Sequence, residues 1–162
     1  MRYLTFTELF SNFEKFKIRK MGLIAYEFRV EMSRALYESY LAILESGECR
    51  TQFEAIERAR KSPAPHFFTS ARNCCYVLTK MSNGESTGLR NPDKIRKFEE
   101  LDRRAKQYRE THDEWPGLLN VSRIIVNEPA PEYYICYSTA KQMILYERRK
   151  RQEEIARRWA KR

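Results

Sequence analysis

PAPHFFTSARNCCYVLTKM at 63–81 and PAPEYYICYSTAKQMILYER at 129–148 follow one plan. Each opens with Pro-Ala-Pro, adds one polar residue and two aromatics, and continues into a helical pattern. Two adjacent aliphatics close the match, Val77-Leu78 and Ile144-Leu145, with the second copy read as carrying one inserted residue. Proline fixes φ and keeps the residue ahead of it out of the helical region, so each Pro-Ala-Pro is a stiff extended elbow. The aromatic pair behind it supplies a large area for burial and sets the angle at which the next helix leaves.

The elbows lie 66 residues apart, at Pro63 and Pro129, and the same offset organises the rest of the chain. A long amphipathic pattern at 24–46 ends at Gly47, a natural helix stop. Moved by 66, it falls on a helix opened by Asn91-Pro92-Asp93, where a capping side chain, a first-turn proline and an acid at the positive dipole end coincide. Thr51 and Glu54 form a capping box for a short helix ending before Pro63. Its counterpart, 118–127, has strand-like β-branched residues, but the helical partner in the first copy favours helix. Ser138 is the expected cap of a final helix. Ahead of these elements, TFTELFSNFEKFK carries Phe6, Leu9, Phe10, Phe13 and Phe16 at helical spacing behind a Thr5/Glu8 capping box.

The expected fold is all-α. Two tandem helical repeats, about 24–88 and 89–154, each comprise a long helix, a short helix, an elbow and a helix. An amphipathic N-terminal helix and a basic C-terminal helix flank them, and 1–162 form a single compact domain. The short helix, elbow and following helix read as helix-turn-helix-like, with a longer turn than usual.

Of the 162 residues, 42% are hydrophobic and 13% aromatic, which excludes a disordered chain. No apolar run approaches the ~18 residues of a membrane span, so no membrane partner is expected. The net charge of +9 is uneven. Residues 1–22 hold five basic and two acidic side chains, 147–162 eight and three, and the 124 between them 18 and 17. Basic ends around a neutral body suit a polyanion.

Cys49, Cys74, Cys75 and Cys136 match no zinc spacing, and His66 and His112 form no paired ligand pattern. With five glycines there is no phosphate-cradling loop, and no nucleophile elbow occurs. The expectation is a non-enzymatic protein with no cofactor and no metal.

The duplicated elbow resembles that of a group of small uncharacterised proteins of gut Bacteroidales and their phages and mobile elements. Their motif reads Ser-Pro-Ala-Pro-Arg-Phe-Tyr and often occurs twice. Ser62 to Phe68 resembles the first copy and Glu128 to Tyr134 the second, so the likeness spans about 40–148. His66 and Glu132 stand where that group has arginine, so any phosphate bond made by that arginine is missing from both copies here. The resemblance implies a genomic setting, in a host cytoplasm or a virion, rather than an activity.

Two functions follow as expectations. The first is nucleic-acid binding, DNA before RNA. Arg72, Asn73 and Lys80 follow the first elbow on a helix without acids, a composition suited to base edges. Arg148, Arg149, Lys150, Arg151, Arg157 and Arg158 are placed for phosphates. The second is an assembly protein of a virion or large complex, binding other proteins through Phe6, Phe10 and Phe13. Either is compatible with an oligomer.

Overall fold

The computed structural model describes residues 23–160, so the segment carrying Phe6, Phe10 and Phe13 lies outside the described residues. The described chain is all-α. Its helices are α1 (Leu23–Glu45), α2 (Gln52–Lys61), α3 (Ala71–Ser82), α4 (Pro92–Thr111), α5 (Leu118–Ile125) and α6 (Tyr137–Trp159).

Local chemistry accounts for most helix starts. Thr51 Oγ1 accepts from the Glu54 amide at 3.1 Å. The Glu54 carboxylate in turn accepts from the Arg50 amide at 3.1 Å, one residue earlier than an ideal capping box. Ser70 Oγ accepts from the Asn73 amide, and Asn91 Oδ1 accepts from the amides of Asp93 and Lys94. Gly117, at φ +92°, occupies a backbone conformation that side-chain-bearing residues rarely adopt, and α5 starts directly after it.

The final helix corrects two expectations. It begins at Tyr137 with Cys136 in the cap position, two residues ahead of Ser138. It also needs no inserted residue. Cys74, Val77 and Leu78 are buried in α3, and Ala140, Met143 and Ile144, each 66 residues on, are buried in α6. The hydrophobic side of each helix is thus set by the three-and-four spacing from its cap, and the adjacent pair Ile144-Leu145 is not the counterpart of Val77-Leu78.

The elbows lie antiparallel. Ala64 donates to the Ala130 carbonyl at 2.8 Å, and Ala130 donates back to Ala64 at 3.0 Å. The Phe67 amide reaches the Val126 carbonyl, and the Tyr133 amide reaches the Arg60 carbonyl, each at 3.0 Å. Phe67 stacks on Tyr134 and Phe68 on Tyr133, with ring centroids 6.0 and 6.1 Å apart. Every one of these contacts exchanges with its neighbour under the 66-residue offset.

Because the elbows cross, the helices they launch pack on the opposite half. α6 lies on α1 and α2, whereas α3 lies on α4 and α5. The helix-turn-helix-like expectation is therefore corrected: no Cα atom of α2 comes within 8 Å of one in α3. A helix-turn-helix folds its second helix back on its first. Here an extended elbow, hydrogen-bonded to the other elbow, carries the second helix away. The buried side chains of all six helices nevertheless form one cluster, with Leu36, Ile56, Phe67, Leu78, Leu101, Val121 and Ile144 at its centre.

Candidate nucleic-acid interface

Two basic surfaces arise from this packing. The first is the outer side of α3. Arg72, Tyr76 and Lys80 follow at four-residue spacing, which places them along one helical stripe. Arg72 and Tyr76 are exposed, and the Lys80 ammonium lies 4.9 Å from the centroid of the Tyr76 ring. That contact, with the Tyr76 hydroxyl as the main cause, raises the Lys80 pKa. Asn73 has a different task. Its Nδ2 donates to Thr69 Oγ1 at 3.1 Å and its amide donates to Ser70, so it belongs to the helix start.

The second surface is the outer half of α6. Burial on this helix ends at Glu147, and every residue from 152 to 160 is exposed. Arg148, Arg149, Lys150 and Arg158 make no ion pair among the described residues. Arg157 reaches Glu153 at 3.8 Å, a loose exposed pair worth little in water. Arg151 is tied to the body: it pairs with Glu38, and its guanidinium lies 4.6 Å over the Tyr37 ring. The structure thus separates Arg151, which anchors the helix, from the cations on either side of it. No Cα atom of α3 comes within 8 Å of one in α6.

Other arginines are structural. Arg104 bonds Glu100 and Glu128, donates to the Pro129 carbonyl at 3.0 Å, and lies 4.7 Å over the Phe67 ring. Arg60 pairs with Glu57 and donates to the Ile135 carbonyl at 3.2 Å. His66 and Glu132, at matching places behind the two elbows, are engaged as well: His66 Nε2 lies 2.9 Å from Glu31 Oε1, and Glu132 pairs with Arg96 at 3.0 Å.

The cysteines differ sharply. The buried Cys74 thiol is pushed up to about 11 by desolvation. The exposed Cys136 thiol is drawn down to about 7, first by the Ser138 hydroxyl and then by Thr139, at 3.2 and 3.1 Å. Among the described residues no group of three His, Cys, Asp or Glu side chains is placed to hold a metal ion. No described helix is long and apolar enough to cross a membrane.

Tyr76 is the member of the α3 stripe that sequence reasoning misses, although an aromatic four residues from two cations on an acid-free helix is a legible signal. No protein-family model matches the chain, and comparison with curated proteins and with solved structures finds no match.

Proposed function

We propose that the protein binds nucleic acid through the outer half of α6, with the Arg72–Tyr76–Lys80 stripe of α3 as a secondary contact. The observation that carries this reading is a helix that leaves the protein body and presents Arg148, Arg149, Lys150 and Arg158 without counter-ions among the described residues. Such cations gain most from a dense polyanion, because phosphate contacts release its condensed counterions. Duplex DNA is favoured over duplex RNA. The major groove of B-DNA admits an α-helix, whereas the deep, narrow groove of A-form RNA does not. Binding is largely sequence-independent, since the α6 cations are suited to phosphates and the Asn73 side chain is engaged with Thr69. Duplication of one unit of about 66 residues, in a phage or mobile element, is part of the same reading.

The test is fluorescence anisotropy with a labelled DNA duplex near physiological salt. Full-length protein should bind. The variant with Arg148, Arg149, Lys150 and Arg158 all changed to Gln should bind at least ~10-fold more weakly, with an unchanged thermal midpoint. Equal binding by the two proteins would move the interface to Arg72 and Lys80. Absence of binding by either favours the assembly-protein reading.

A further inference from the structure

Between the first turns of α1 and α4 and the start of α3 lies an open groove of about 960 Å³. That is the size of a site for a small organic ligand. Its walls are mostly carbon, contributed by Phe28, Met32, Phe68, Val77, Phe98 and Met143. It lies where the two halves meet, for Met32 and Phe98, like Val77 and Met143, are counterparts under the 66-residue offset.

Its charges have one sign. Arg29, Lys94 and Lys97 line it, and among the described residues no acid does. None of the three forms an ion pair among the described residues. Lys97 is the unusual member. Its side chain is partly buried, and among the described residues its ammonium meets the Phe68 carbonyl at 3.5 Å, a marginal distance, and the Phe98 ring at 5.3 Å. A desolvated ammonium without a carboxylate is costly. It becomes favourable when an anion supplies the missing partner.

We propose that this groove binds an amphiphilic carboxylate, its chain among Phe28, Met32, Phe98 and Met143 and its head group on the Lys97 ammonium. The apolar wall selects for a hydrocarbon body and the uniform positive charge selects for an anionic head. Desolvation, which holds the Lys97 pKa down to about 8, makes an incoming anion more valuable there than at an exposed lysine. The proposal is independent of the nucleic-acid reading, since neither α6 beyond Glu147 nor the Arg72–Lys80 stripe lines the groove.

The test is titration calorimetry of the full chain at pH 7 with decanoate, with its neutral isostere decanamide, and with both ligands on K97M and K97R. Decanoate should bind wild type roughly 10-fold more tightly than decanamide, about what one charge-assisted hydrogen bond supplies. K97M should erase that preference while keeping residual chain binding, and K97R should retain it. Equal affinity for the two ligands, or a preference surviving in K97M, overturns the proposal. So does the absence of decanoate binding at millimolar concentration, the result expected if residues 1–22 or a second copy of the chain cover the groove.

Discussion

At the residue scale, Lys97 makes a sharp prediction about stability. Burial, with a smaller contribution from Lys94, lowers its pKa to about 8, while the unfolded chain keeps the ordinary value near 10.5. Between those values the unfolded state holds the proton that the folded state has released, so stability rises with pH across that window. Below pH 8 both states are protonated and the full cost of the buried charge applies, on the order of 3 kcal/mol. K97M should therefore be more stable than wild type at pH 7 in urea unfolding, and the gain should shrink as the pH rises from 8 to 10.5. A gain independent of pH would show that the ammonium is not desolvated. The cysteines supply a second check, because the thiolate is the reacting form. Iodoacetamide at pH 7.5 should label Cys136 first and Cys74 last, as read by peptide mass spectrometry. Labelling of Cys74 ahead of Cys136 would contradict their assigned environments.

At the scale of the element, the elbow is held by Arg104, whose side chain is largely buried among two carboxylates, a carbonyl and the Phe67 ring. Arg104→Ala should cost about 2 kcal/mol, because it leaves several polar partners unsatisfied. Its neighbour Arg103 is 61% exposed and pairs with the same Glu100, so Arg103→Ala should change stability by no more than about 0.5 kcal/mol. Paired denaturation curves of the two variants check this, and equal losses would remove Arg104 from the elbow's support. Most elements are legible in the sequence for local reasons. Thr51, Ser70 and Asn91 cap helices because their side chains reach amides within the same turn. Cys136 hides the start of α6, since a cysteine is a poor capping signal and Ser138 stands two residues later. The partners of the elbow helices are not legible. They depend on the Ala64–Ala130 hydrogen bonds, and alanines carry no side-chain signal of whom their backbone will meet. Arg151 misleads for a related reason: in sequence it is one of four consecutive cations, and only its helical position turns it toward Tyr37 and Glu38.

At the scale of the molecule, the crossing of the elbow helices binds the two halves together. α3 lies on α4 and α5, α6 lies on α1 and α2, and the largely exposed loop at 83–88 is the connection between the halves. A protease cut in that loop should leave both fragments associated, eluting with intact protein on size exclusion and separating only in denaturant. Separation in native buffer would contradict the crossed packing. Among the described residues the same packing buries no α6 side chain beyond Glu147, with Arg151 half-buried against Tyr37 and Glu38, which is why the arginines around it read as a binding surface. The most direct test is the dependence of DNA affinity on salt. Plotted as log K against log salt concentration, the full chain should show a slope steeper by about three to four units than the variant with Arg148, Arg149, Lys150 and Arg158 changed to Gln, close to 0.9 for each phosphate that the variant no longer neutralises. Superimposable slopes would contradict the account, because they would mean that these four side chains touch no phosphate.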